Sequence, residues 1–429
     1  MTREIAADRP RDSRVAAVAA LLFAVALGAA LLFLFSYPLP DAKNDAVEYL
    51  ALARSVAGGE GFSDDGGATP AVYRPPLFSI LLGAWFRLTG TSSVLSAAVF
   101  QSLLHGLGVA AAFLLFLEIL PSRAWASGAA LVLAITPLLV TRVAFVLQEP
   151  TVLLFTVLAA WASARLVRAP SPGRAALAGA AWGICALAKV VCWFAPFLLL
   201  AMRFLPERLR WSWRRREAAC LLIGFILVIA PWTARNYVHF HRFIPVNAQG
   251  KGMLEWNVEH ATPPGAPPGD TVLAELDRKG VRGKERQDAL WRYVRQNMRY
   301  FLVNRTWKNA SVFIRPPRDW WWSRGLYGPG DPRPWYWTLH DYVHWFLYLA
   351  LAFRTVQWAR GRYDPSFGFL ILFYWAYWME HAVVLGASRF GLAVYPLLLA
   401  MIPPRFGPVT GRVADGDSRL VFGPEGLVR

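Results

Sequence analysis

Cysteine is scarce in this chain. Only Cys185, Cys192 and Cys220 occur in 429 residues, all inside apolar segments, so neither a disulfide framework nor a cysteine-based zinc cluster is indicated. Charge is low too, at 17% against the roughly 25% of an average soluble domain. The sequence has no glycine-rich strand-to-helix loop of the kind that cradles a nucleotide. It also has no paired repeat with broken helices, the usual pointer to an alternating-access transporter. What is abundant is apolar: 56% of residues are hydrophobic, 20 are Trp, and mean hydropathy is +0.34. That is the composition of an integral membrane protein. Arg and Lys outnumber Asp and Glu by 45 to 28, a net charge of +17. The basic residues alternate with apolar spans instead of forming one stripe, so topology and anionic lipid explain them and nucleic acid does not.

The first apolar run, Val15 to Phe35, is long enough at about 1.5 Å per residue to cross a hydrocarbon core of roughly 30 Å. Arg3, Arg9, Arg11 and Arg14 precede it and no clear small-residue cleavage site follows, which reads as a retained anchor with a cytoplasmic N-terminus. Further runs occupy about 93–119, 125–143, 150–167, 175–204, 218–233, 338–357, 366–387 and 390–403. The run 175–204 holds Lys189 in its interior. A single crossing there would send the arginine-rich stretch 203–217 outside, whereas a hairpin of two short legs keeps it cytoplasmic.

The expected fold is therefore an all-α polytopic membrane protein of about ten transmembrane helices. Juxtamembrane helices lie in a first outer loop, about 36–92, and a larger outer loop, about 234–337, follows the seventh helix. Residues 1–403 form the transmembrane domain with these loops, and 404–429 form a cytoplasmic polar tail. Within the large loop, 285–307 reads as an amphipathic helix rich in arginine. Trp320, Trp321, Trp322, Trp335 and Trp337 read as an interfacial aromatic belt, with sugar stacking as the alternative.

Chemistry-bearing residues gather at the outer face. Asp45, Glu48, Tyr49 and Leu52 share one face of a helix by spacing, either as a solvated juxtamembrane surface or as part of a site. Arg74 precedes Pro75 and Pro76 at headgroup depth, where it either snorkels or grips a phosphate with its planar fork. Phe78, Leu81, Leu82, Trp85 and Phe86 then offer an apolar helical face. Glu149, just before Pro150, either caps a helix or faces the site. Lys189, Glu380, His381 and Arg389 are ionisable groups in apolar spans and hence functional candidates, a structural Glu380–Arg389 ion pair being the alternative for two of them. His239 and His241 with Glu255 make a weak metal signal.

The order of these pieces resembles the lipid-dependent glycosyltransferases of the GT-C class, particularly the group containing the lipid A aminoarabinose transferase and the protein O-mannosyltransferases. The matching stretches are NDAVEYLALA, YRPPLF with RLTG, LQEP, the hairpin WGICALAKVVCWFAPFLLL, APWTARNY and ASRFGLAVYPLLLA, over roughly residues 15–403. The resemblance implies that Asp45 is the catalytic base, that Arg74 contacts the donor phosphate, and that Glu149 and Arg389 are the acidic and basic residues of later outer segments. Arg74 stands where the aminoarabinose transferase pattern has lysine, and a short tail replaces the long soluble C-terminal domain of some relatives.

The residues suit that chemistry in their own right. Transfer from a polyprenyl phosphate sugar needs a base for the acceptor hydroxyl, cations for the departing phosphate and a lipid-accessible groove. Asp45 serves as base; Arg74, Arg389 and Lys189 as phosphate ligands; Glu149, Glu48, Tyr49 and His381 as acceptor or sugar contacts. The expected partners are a polyprenyl-phosphate sugar donor, a lipid, glycan or protein acceptor, and membrane lipids. The expected location is the cell inner membrane, with the site facing the periplasm. No cofactor is required by the sequence, and divalent metal dependence stays open. A flippase for a lipid-linked sugar is the alternative from another class. A scaffold would leave the buried charges unexplained.

Overall fold

The computed structural model describes residues 13–207, 209–248, 250–316, 335–362, 365–384 and 388–402. Arg3, Arg9, Arg11, the Trp320–Trp322 run, the side chains of Trp335 and Trp337, and the tail from 404 lie outside the described residues. Among the described residues every regular element is a helix, with no strand.

The anchor forms α1, Ser13–Ser36, whose Leu22, Ala26, Ala30 and Leu34 recur every fourth residue on its buried face. Two short helices follow before the next long one. The first is α2, Asp45–Gly58, which ends at Gly59 in the left-handed conformation that glycine adopts without a Cβ clash. The second is α3, Pro76–Thr89, which opens on a proline whose missing N–H costs nothing in the first turn. Of the apolar face expected for α3, Phe78, Leu82 and Phe86 are buried, and they close over Tyr49 and Leu50 of α2.

The core is built on α4, Val94–Ile119, and α7, Glu149–Arg168. Between them the expected run 125–143 is broken into α5, Arg123–Ile135, and α6, Pro137–Arg142. Pro137 has no N–H to continue the ladder and pushes Thr136 into extended backbone (ψ 116°). α8, Pro172–Ala188, ends at Lys189, whose extended backbone (φ −154°, ψ 114°) precedes a 3₁₀ turn, Val190–Phe194, and the short α9, Ala195–Ala201. The chain thus breaks at the lysine, where two legs are expected to meet.

α10, Arg215–Phe240, runs about two turns beyond the expected end at 233, with Pro231 in its interior. It lies backbone to backbone on α8, because a Cβ on Gly179 would run into the Leu221 carbonyl and one on Gly224 into the Ala176 carbonyl. By length and composition, Ser13–Ser36, Val94–Ile119, Glu149–Arg168 and Arg215–Phe240 can each cross a membrane.

The large loop folds on itself. Its helices α11, Gly250–Glu259, α12, Gly269–Arg278, and α13, Gly283–Gln296, enclose Val258, Ala261, Leu290, Tyr293 and Val294. The expected single helix over 285–307 stops at Gln296; a π-helical turn, Tyr300–Arg305, then leads into α14, Thr306–Ile314. The last long helices are α15, Trp335–Ala359, and α16, Pro365–Val383. The run expected over 390–403 is instead a 3₁₀ segment, Ser388–Val394, followed by the five-residue α17, Tyr395–Leu399. Pro396 in the first turn of α17 cannot donate back to that segment, so the two do not merge.

Candidate active site

The start of α2 carries the charge. Asp45 is its first residue and Glu48 stands one turn on, while the apolar residues of the same helix, Ala46, Leu50 and Ala53, hold it against α3. Helical spacing alone therefore aims both carboxylates the same way. Arg74 reaches them from the residue before the Pro75–Pro76 break, its Nη2 donating to Asp45 Oδ1 at 2.7 Å and its Nε to Glu48 Oε2 at 2.6 Å. Tyr49 lies under that guanidinium, 5.3 Å from ring centroid to Cζ, with Phe78 packed edge-on against it. With 1% of its surface exposed, Tyr49 supports Arg74 from below, and burial raises its phenol pKa so that it stays neutral.

The other half arrives from the far end of the chain. Arg389, in the 3₁₀ segment, donates from Nη2 to Asp45 Oδ2 at 2.7 Å, and its Nε stands 3.6 Å from Glu149 Oε1. The alternative in which Arg389 pairs with Glu380 is not the one adopted. Glu48, Arg74, Asp45, Arg389 and Glu149 therefore form an alternating row of charge with Asp45 at its centre. Burial by itself pushes the Asp45 carboxyl upward, but Arg74 and Arg389 outweigh it and hold the group below the ordinary carboxylate range.

Glu149 is placed by its neighbours on α4. Gln101 donates to the carbonyls of Val143 and Phe145 and accepts from the Leu147 N–H, fixing the turn that leads into α7. Sequence reasoning passed over Gln101, although a lone amide in the apolar run of α4 was the available signal. Replacing it by leucine strands those backbone groups, at about 1–3 kcal/mol for each unsatisfied one. Gln101→Leu is expected to lower the melting temperature of the detergent-purified protein measurably. Ser102→Ala, one residue along, removes only a hydroxyl bonded within its own helix to Ala98 and is expected to change it little.

The APWTARNY stretch also has a role that its placement at a loop entrance concealed. On α10, Arg235 donates to the carbonyls of Ala71 and Phe62, while Asn236 donates to those of Ile244 and Val246. Trp232 donates to Val246 and meets Phe62 edge-on. Arg235 and Trp232 thus clamp the loop that carries Arg74, while Asn236 holds the segment that follows α10.

His381, Lys189 and Glu380 stand outside the row. His381 is 4% exposed, donates from Nδ1 to the Tyr377 carbonyl, and packs among Phe313, Tyr377 and Phe390. Lys189 directs its ammonium over the Phe390 ring, 3.9 Å from the centroid, in the negative potential of Glu149 and Glu380. Glu255 is engaged by Arg286 at 2.7 Å, away from any pairing with His239 and His241. Among the described residues no group of three or more His, Cys, Asp or Glu side chains has metal-holding geometry.

A family model described as dolichyl-phosphate-mannose-protein mannosyltransferase matches residues 73–234, a segment that carries Arg74, Gln101, Glu149 and Lys189. No curated protein matches the sequence. Among solved structures, the apo oligosaccharyltransferase of Archaeoglobus fulgidus aligns over 91% of this chain with a TM-score of 0.54 and 14% identity. Archaeal oligosaccharyltransferase AglB from the same organism, in complex with an inhibitory peptide and a dolichol-phosphate, aligns over 90% with a TM-score of 0.55 and 15% identity. The chain spans about half the length of those proteins, 50% in both alignments. At this identity the likeness shows a shared fold and nothing more. The family model points to a glycosyltransferase, and the resemblance read from the motifs agrees with it.

Proposed function

We propose that this chain transfers a sugar from a polyprenyl-phosphate carrier to an acceptor hydroxyl, with inversion at the anomeric carbon. The observation that carries the reading is Asp45, a carboxylate gripped by guanidiniums from two outer segments more than 300 residues apart, Arg74 at 2.7 Å and Arg389 at 2.7 Å. A structural ion pair needs one arginine. Two converging on one carboxylate make a patch that can take a second anion, and Nη1 of each guanidinium has no hydrogen-bond partner among the described residues.

The phosphate of the donor binds Arg74 and Arg389, with Lys189 as a third cation. As the guanidiniums turn part of their field to the phosphate, their hold on Asp45 weakens and its proton affinity rises where a base is needed. Asp45 takes the proton of the acceptor hydroxyl. The acceptor oxygen bonds to the anomeric carbon from the side opposite the phosphate, and the C–O bond to phosphate breaks with its electron pair leaving on polyprenyl phosphate. Glu149 and Glu48 orient acceptor or sugar.

In this reading the chain crosses the membrane about ten times, with both termini in the cytoplasm, the site at the periplasmic face of the inner membrane, 1–403 as the catalytic unit and 404–429 as a cytoplasmic tail. AglB, solved with a dolichol-phosphate, supports a lipid-phosphate donor. The acceptor is a lipid, glycan or protein.

The test uses detergent-purified protein and a panel of polyprenyl-phosphate sugars with an envelope extract as acceptor source. One lipid-linked sugar should be consumed, releasing polyprenyl phosphate and a product of inverted configuration, and nucleotide sugar alone should give nothing. Direct transfer from a nucleotide sugar without lipid would refute the reading. Lipid movement across vesicles without glycosidic transfer would favour the flippase.

A further inference from the structure

Glu380 takes no part in the charge row, yet it sits in its neighbourhood. On α16 it lies one turn beyond Tyr377, and its Oε2 is buried without a hydrogen-bond partner among the described residues. Its electrostatic neighbour is Lys189, which is presented by the break between α8 and the following 3₁₀ turn and rests against Phe390 at 3.9 Å and Tyr377 at 5.6 Å. Neither side chain closes an ion pair with the other or with any other described residue. A half-buried carboxylate and a nearby ammonium gain by direct contact, and leaving each without one is costly. Irregular backbone at membrane depth, as at Lys189, is tolerated where it is buried in protein or lines a water-filled cavity.

Together the two groups ask for a ligand that offers an anionic oxygen to the ammonium and, beside it, a hydrogen-bond donor to the carboxylate. A glycosyl phosphate has both, its phosphate oxygen lying a few bonds from the ring hydroxyls. Arg389, the partner Glu380 lacks, is committed to Asp45 and Glu149, so the carboxylate stays available.

We infer that Glu380 reads a hydroxyl or amino hydrogen of the sugar being transferred, beside the phosphate held by Lys189, and so sets which sugar is accepted. The inference rests on the proposed glycosyl transfer. A site built around an unpaired acceptor rejects an analogue lacking the matching donor far more strongly than a purely apolar pocket can.

The experiment compares wild type, Glu380→Ala and Glu380→Gln on the same panel of polyprenyl-phosphate sugars, including epimers and deoxy forms, and separately measures binding of sugar-free undecaprenyl phosphate. Glu380→Ala should raise KM for the preferred donor about ten-fold or more and flatten the preference among epimers, with undecaprenyl phosphate affinity changed by less than about two-fold. Glu380→Gln keeps the shape and one acceptor oxygen, so it should bind the preferred donor better than the alanine variant does; it also decides the question should the alanine variant fail to fold. Unchanged donor preference in both variants overturns the inference. So does an equal loss of sugar-free lipid binding, because Glu380 would then act only through Lys189. If wild type turns over no donor on the panel, the glycosyl-transfer reading itself has failed, an outcome separate from these.

Discussion

Asp45→Asn is expected to abolish turnover, by a factor of at least about a hundred, while donor affinity stays nearly intact. Asparagine keeps the shape and an oxygen that can accept from one guanidinium, but it cannot take a proton. The row from Glu48 to Glu149 makes this a clean substitution: Arg74 keeps Glu48 at 2.6 Å and Arg389 keeps Glu149 at 3.6 Å, so neither cation is left without a carboxylate. Single-turnover kinetics with a lipid-linked sugar, together with binding of the sugar-free carrier, separate the two effects. Near-normal turnover would remove Asp45 as base and make Glu48 or Glu149 the next candidate. The same carboxyl dictates a pH profile. Only its ionised form is a base, and its resting pKa lies below the ordinary carboxylate range. Donor-dependent kcat/KM, which reports the free enzyme, should therefore stay flat through mildly acidic pH and fall only once pH descends past that depressed value.

The helix facing Asp45, Glu48 and Tyr49 to one side was legible from spacing alone, since three and four residues bring side chains onto one face of any helix. That Arg74 meets that face was not. It depends on a loop whose path is held by Arg235, more than 150 residues further along the chain, and no local pattern encodes such a clamp. Arg389 shows the same limit: the sequence marked it as a buried charge, and left Glu380 and the site as competing partners. Tertiary approach decided between them. His381 was marked by the same rule, but an imidazole can satisfy itself on the carbonyl one turn back, as here on Tyr377, whereas a guanidinium carries a charge that a carbonyl does not neutralise. Segment ends misread for a simpler reason. Pro137 and Pro396 break apolar runs that hydropathy alone joins, while Pro231 sits within a helix that hydropathy ends too early.

Arg74→Ala and Arg389→Ala are expected to cost about 100- to 1,000-fold in kcat/KM, the usual loss when one positioned donor to a developing negative charge is removed. Unlike Asp45→Asn, both should also weaken binding of the sugar-free polyprenyl phosphate, because the contact exists before the bond breaks. They should differ from it in pH dependence as well. Each arginine depresses the Asp45 pKa, so removing either one lets that pKa rise. Activity requires the ionised carboxylate, so the acid limb of the residual rate must then move to higher pH, and more base is left protonated at any given acidic pH. Arg74→Lys should recover charge and part of the binding. It should not recover full rate, because an ammonium cannot match the planar fork that engages Asp45 and Glu48 from Nη2 and Nε together. If both alanine variants bound the carrier normally and kept the wild-type pH profile, the arginines would be no more than a structural bracket for Asp45, and the phosphate would have to be sought at Lys189.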